Sequence, residues 1–237
     1  MFYRIKVLSL ALFFTSTSAI ATSQNVLPKR IQANYVVTKN GVEFAKVHEQ
    51  YEVVGNTYKV ESTTKGIGIY ALLGVRKLIS TGEVTSQGLK PARFELSQGN
   101  SAKKALLTDF DWANNSLHML VKGVNQDAVL SAGTQDLASY VYQFMFLPRP
   151  LKDNIAIMLT TGKKFNTYQY KVYDESLSVA GTSYKTAHLI ALDPLKNQVE
   201  TRELWLAAEK NYLLVKFLMV DEDGAKLEQT LTELHVD

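Results

Sequence analysis

The chain has 237 residues, 46% of them hydrophobic, with 26 basic against 23 acidic side chains and no cysteine. That near-neutral balance argues against a nucleic-acid surface. The lack of cysteine excludes disulfides and a lipid-modified N-terminal cysteine, so stability has to come from the core that a chain of this length can bury.

The first residues read as an export signal. Arg4 and Lys6 precede the apolar run Val7 to Phe14, and Ala19-Ile20-Ala21 is a small-x-small cleavage pattern. The run falls well short of the roughly 20 residues that cross a bilayer, so a removed signal over 1–21 is favoured over an uncleaved anchor. Removal takes two of the three net positive charges with it. Residues 22–237 are then expected to form a single β-rich domain in the periplasm, with no transmembrane segment.

Ile31, Ala33, Tyr35 and Val37 alternate with their neighbours, and Asn40-Gly41 is a hairpin turn signal. Strands over Val42–Val54 and Thr57–Thr64, separated by Gly55-Asn56, complete a meander. From Gly66 to Lys77 the pattern breaks. Ile69, Leu72, Leu73 and Arg76 have helical spacing, but Gly66, Gly68 and Gly74 weaken a helix. A short helix or folded loop is expected, its apolar residues closing one mouth of a curved sheet. Strands resume over Leu78–Ser86, with Gly82 at a bulge or close approach, then over Ala92–Gln98, Lys104–Asp111 and Ser116–Lys122. Residues 123–133 read as loop.

The spacing of Leu137, Val141, Phe144 and Met145 predicts a helix over Gln135–Leu147, with Thr134 as N-cap, Asp136 in the first turn, and Pro148 and Pro150 beyond its end. Strands follow over Asn154–Thr160, Lys164–Asp174, Ser176–Ala180, Tyr184–Asp193, Gln198–Ala207, Leu213–Asp221 and Lys226–His235. In one of them Tyr168, Tyr170 and Val172 share a face. The expected fold is mostly β: a single strongly curved antiparallel sheet, an open or incomplete barrel, packed around one central helix. A β-sandwich is the alternative. A parallel α/β sheet would need a helix at nearly every crossover.

The familiar chemistries are missing. His48, His118, His188 and His235 have no metal-ligand spacing, so neither a metal nor a cofactor is implied. Gly66-Ile67-Gly68 with Gly74 lacks the spacing and context of a dinucleotide fingerprint. Asp221-Glu222-Asp223-Gly224 lacks the later ligands of a calcium loop, and no G-x-S-x-G elbow occurs. Asp136 and Glu203 are candidate carboxylates, read as a helix-start residue and a sheet residue rather than catalysts. The aromatic residues Tyr140, Tyr142 and Phe144 of the helix and Trp205 of a late strand are the candidate ligand-binding residues, lining an apolar pocket. The alternative is an ordinary aromatic core.

Several stretches carry a family likeness. They are Gly82 followed by Gly88-Leu89-Lys90-Pro91-Ala92-Arg93-Phe94, then Asp136-Leu137-Ala138-Ser139-Tyr140-Val141-Tyr142-Gln143, then Leu204-Trp205-Leu206-Ala207 with Tyr212 to Lys216, and Asp223-Gly224 with Leu227-Glu228. In this order the chain resembles the bacterial exported protein family of unknown function DUF3108 over about Ile31 to Leu234. Leu214 stands where that family pattern leads one to expect proline. The resemblance implies an exported, β-rich, periplasmic protein and supplies no activity, substrate or catalytic residue. Similar half-barrels include carriers of lipoproteins, a likeness of fold alone.

Three functions remain open, in this order. The first is a non-enzymatic periplasmic protein that binds an apolar or amphipathic, lipid-like envelope ligand in a half-barrel cavity. The second is a structural or protein-interaction factor in envelope assembly. The third is an envelope-polymer hydrolase using paired carboxylates.

Overall fold

The computed structural model describes residues 27–99, 105–192, 201–221 and 223–237. The signal segment and the connection between the strands expected over Tyr184–Asp193 and Gln198–Ala207 lie outside these. The chain is mostly β. A first meander comprises β1 (Arg30–Lys39), β2 (Val42–Val54), β3 (Thr57–Gly66), β4 (Arg76–Thr85), β5 (Gly88–Gln98), β6 (Leu106–Asp111), β7 (Ser116–Val121) and β8 (Val124–Val129). After the short β9 (Gln135–Asp136) and α1 (Tyr140–Gln143), a second meander comprises β10 (Asn154–Thr160), β11 (Phe165–Val179), β12 (Thr182–Leu192), β13 (Thr201–Ala207), β14 (Leu213–Val220) and β15 (Lys226–Val236). β15 pairs antiparallel with β1, from Ile31 opposite Val236 to Lys39 opposite Leu227. The described strands thereby join into one open fifteen-stranded sheet, with β8 at one end and β9 at the other.

Local chemistry accounts for most of these elements. Ile31, Ala33 and Tyr35 are buried while their neighbours on β1 are not, the period expected of a strand with one face on a core. Asn40 and Gly41 both take positive φ, +51° and +81°, the backbone that a two-residue turn needs to match strand twist. At Gly82 the register with β5 shifts, and a Cβ there would overlap the Lys90 carbonyl oxygen and the backbone beyond it. The close approach read from the sequence is therefore real.

Five expectations need correction. The helix read over Gln135–Leu147 is only the single turn α1, followed by a 3-10 turn over Phe144–Phe146. Asp136 explains the late start: its Oδ1 accepts the backbone N–H groups of Ala138 (2.8 Å) and Ser139 (2.9 Å), which holds a turn there. Thr134 is no cap, since its hydroxyl donates to the Ser131 carbonyl. Residues 124–129, read as loop, form β8; as an exposed edge strand it carries no alternating burial to betray it. The two strands read over 164–180 are the single β11. The apolar residues of 68–73 close no mouth, for none of them is buried.

The 135–143 segment touches both meanders. β9 pairs in parallel with β10, Leu159 opposite Gln135 and Thr160 opposite Asp136. On the other side Gln135 Nε2 donates to the Leu89 carbonyl (2.8 Å), and the Leu89 N–H donates to Gln143 Oε1 (2.8 Å). Two side chains thus satisfy the stretch of β5 that β6 leaves free. Beneath them Ser80 donates to Asp136 Oδ2 at 2.6 Å, and Tyr58 in turn meets Ser80 at 2.9 Å. α1 is buried throughout. Its residues share one apolar cluster with Tyr58, Val60, Phe94 and Leu117 of the first meander and Leu159, Tyr170, Leu189, Leu204 and Leu206 of the second. Tyr168 and Val172 pack against the same cluster, so the face read from Tyr168, Tyr170 and Val172 does meet the core. A second cluster gathers Ala33, Tyr35, Val47, Val179, Tyr184, Trp205, Ala207, Val215 and Leu231. β13 therefore feeds alternate side chains into two cores and is covered on both faces.

Two tests follow from this packing. Gly82→Ala should lower the unfolding free energy by about 1–3 kcal/mol, as overpacking against backbone does, measured by denaturant titration; an unchanged midpoint would refute the close approach. Burial pushes the Asp136 carboxyl from 3.8 up to about 6, outweighing hydrogen bonds that act the other way. The folded chain then holds this proton more tightly than the unfolded chain. Its contribution is largest below pH 4 and declines as pH rises to 6, by on the order of 3 kcal/mol. Unfolding curves from pH 4 to 7 should show Asp136→Asn losing that slope relative to the parent; parallel slopes would refute it.

Candidate functional site

The aromatic residues singled out in the sequence fall in two places. Tyr140, Tyr142 and Phe144 are buried in the first cluster. Tyr142 stacks on Tyr51, with ring centroids 5.0 Å apart and planes 14° from parallel. Its hydroxyl donates to Glu49 Oε2 at 3.1 Å, and Ser62 donates to the other carboxylate oxygen at 3.2 Å. Burial raises the Glu49 carboxyl, while hydrogen bonds from Tyr142, Ser62 and Gln229 pull it back. Burial likewise raises Tyr51 and Tyr140 to about 12, and Tyr142 well above its ordinary value. These phenols stay protonated, and Tyr142 serves as a core hydrogen-bond donor rather than an acid. The cavity bounded by Glu49, Val141, Tyr142 and Leu214 holds about 10 Å³, room for one water at most.

Trp205 belongs to the second cluster. Register places it opposite His188 on β12 and Lys216 on β14. The His188 ring stacks on the indole at 4.1 Å, and the Lys216 ammonium lies 5.1 Å from the ring centroid. Trp205 Nε1 donates to Glu175 Oε2 at 2.9 Å. That same oxygen lies 2.7 Å from His188 Nδ1, while Glu203 Oε2 is 2.8 Å from Nε2. An imidazole held between two carboxylates is a cross-strand clasp that fixes three neighbouring strands. Of the two candidate carboxylates, Glu203 sits in this clasp and Asp136 in the Ser80 network, so the structure does not bring them together. Sequence reasoning missed Glu175, His188 and Lys216, because only register reveals that they adjoin Trp205. Among the described residues no cluster of three or more histidines and acids could hold a metal ion.

Among the described residues the most exposed apolar feature is the turn between β3 and β4. Leu72 is 87% exposed and Ile69 76%, with Leu73, Val75 and Tyr70 also open to solvent. Yet the backbone is pinned. The Ile67 N–H donates to the Phe44 carbonyl (2.7 Å), Tyr70 to Ile67 (3.1 Å) and Gly74 to Ala71 (3.1 Å). The Tyr70 ring meets Phe44 edge-on at 5.5 Å. A Cβ on Gly66 would overlap the Tyr70 carbonyl, so the turn lies tight on the strand that leads into it. Lys65 precedes this turn and Arg76 follows it. Arg76 shares the face of β4 that carries buried Leu78 and Ser80 and is half-buried. Desolvation lowers its guanidinium pKa, and no acid pairs with it among the described residues.

Among the described residues no helix is long and apolar enough to cross a membrane. Comparison with curated proteins gives no match. Among solved structures, the chain is similar to a β-barrel-like protein of the domain of unknown function DUF1849 from Brucella abortus. That match has a TM-score of 0.57 at 12% identity and covers 90% of this chain and 99% of that one. It is a likeness of fold. A candidate exported protein with a YmcC-like fold from Bacteroides fragilis matches at a TM-score of 0.35 and 8% identity, over 88% of this chain and 96% of that one. The sequence of residues 30–232 matches the family described as "Protein of unknown function (DUF3108)", nearly the span from about Ile31 to Leu234 over which the resemblance extends; the chain belongs to the DUF3108 family.

Proposed function

We propose that this chain is a non-enzymatic, exported protein of the cell envelope that binds an apolar or amphipathic, lipid-like partner, and that it meets this partner at the turn of residues 68–75. The carrying observation is the exposure of Ile69, Leu72 and Leu73 on a hydrogen-bonded backbone. Burying one such side chain fully is worth about 1.5–3 kcal/mol, and a monomeric soluble surface rarely holds several of them together without a use. The export pattern of residues 1–21 supports the compartment. A half-barrel cavity lined by Tyr140, Tyr142, Phe144 and Trp205 has less support: the space at Tyr142 is about 10 Å³, and Trp205 packs in the other cluster. A hydrolase with paired carboxylates is also less supported, since Asp136 and Glu203 are engaged in separate networks.

One observation favours a second reading. β8 is an edge strand with almost every residue exposed, Val124 and Val129 included, and such an edge can accept an extended peptide of a protein partner. Co-sedimentation of the processed chain with lipid vesicles separates the two readings. Binding is expected, weakened about tenfold or more by Leu72→Asp, a surface change that removes apolar area and adds a charge. The melting temperature should not move. A processed chain that stays in the supernatant with every vesicle composition refutes the lipid reading and leaves the edge strand.

A further inference from the structure

The cations beside the apolar turn say what kind of lipid surface it fits. Resting on the reading above, we propose that the turn docks end-on to a bilayer bearing anionic phospholipid, with Ile69, Leu72 and Leu73 entering the acyl boundary and Arg76 and Lys65 receiving lipid phosphates.

Arg76 carries most of the argument. A half-buried guanidinium usually has a carboxylate partner, because desolvating a charge without one is costly. Here the guanidinium lies half-buried on the face of β4 that carries Leu78 and Ser80, and no acid pairs with it among the described residues, so nothing offsets its desolvation. The planar fork offers paired N–H donors whose spacing suits two phosphate oxygens. Its place in the chain, the first residue of β4 after Val75, puts it at the base of the apolar projection. On the opposite face Lys65 stands directly across from Lys46 in the β2–β3 register. Like charges facing each other across a strand pair are unfavourable unless an anion intervenes. Local acids do not cancel this charge. Glu61 is occupied by Lys59 (3.0 Å) and Lys77 (2.7 Å), and Glu43, opposite Thr38 in the β1–β2 register, makes no ion pair with Lys65 or Arg76. Apolar side chains at the tip with cations set back at its base match the cross-section of a leaflet, acyl chains inside and phosphates above.

Vesicles of phosphatidylcholine alone and vesicles that also carry phosphatidylglycerol test this with the processed full chain. Binding to the anionic vesicles should be tighter by about tenfold or more, and should weaken as salt is raised. Arg76→Gln and Lys65→Gln should each reduce that preference about fivefold, at roughly one cation's worth of surface attraction. Leu72→Asp should weaken binding to both compositions. Lys65 is exposed, so its variant keeps the test decisive if Arg76→Gln lowers the melting temperature. Equal binding to both vesicle types by the parent overturns the anionic-surface proposal and leaves the lipid reading standing, as does an unchanged preference in both charge variants. Anionic binding that Leu72→Asp leaves intact overturns insertion of the turn. A parent chain that binds neither composition overturns the lipid reading and this proposal together. Self-association lost in Leu72→Asp would assign the turn to a second copy and overturn the proposal too.

Discussion

The segment 135–143 is the constraint on which the two meanders depend for their common core. Leu89 has its carbonyl and its N–H completed by Gln135 and Gln143, while β9 gives its backbone to β10. The sheet is open when traced through backbone pairs, but side-chain amides carry the connection across where the ladder stops. Buried polar groups leave little freedom here, since an unmade hydrogen bond in a dry site costs about 1–3 kcal/mol. Asp136 tightens the same point by linking Ser80 of β4 to the backbone that opens α1. Apolar packing around Tyr140, Val141 and Phe144 then fills the space between the meanders.

The family motifs read differently once their positions are known. Leu89 and Phe94 of the first motif are core residues, and Gly88 lies where a Cβ would overlap the Gln143 amide. Asp136 and Ser139 of the second hold each other: the Ser139 N–H donates to the carboxylate, and the Asp136 N–H donates to the Ser139 hydroxyl. Leu204, Trp205 and Leu206 of the third supply two clusters from one strand. Leu214, where proline was expected, pairs with Leu206 and offers its carbonyl to the Tyr35 hydroxyl. These residues explain a fold. None of them forms an accessible chemical site, which is why recognising the family suggests an architecture without an activity.

Strands were legible wherever one face is wet and the other dry, as at β1, or where glycine and asparagine force a turn, as at Asn40-Gly41. Legibility failed where that contrast vanishes: β8 is exposed on both sides and does not alternate. β13, covered on both faces over its last four residues, was legible as a strand, but not as one that serves two cores. The helix over 135–147 was overread because Leu137, Val141 and Phe144 keep helical spacing while Asp136 diverts the backbone ahead of them. The apolar turn was visible as apolar, but exposure is a property of neighbours, and no local pattern says that Leu72 stands open to solvent. The clasp around Trp205 was hidden for a related reason: Glu175, His188 and Lys216 are remote in sequence and meet through strand register alone.

The pairing of Ile31 with Val236 joins the first described strand to the last. β1 therefore has no companion on its second side until β15 has been synthesised. Strand partners so remote in order close slowly, since a large loop must be ordered first. A nascent polypeptide of this kind keeps β1 half-paired until the second meander is complete. Loss of β15 would likewise strip both β1 and β14 of a neighbour, so this strand is a keystone of the sheet.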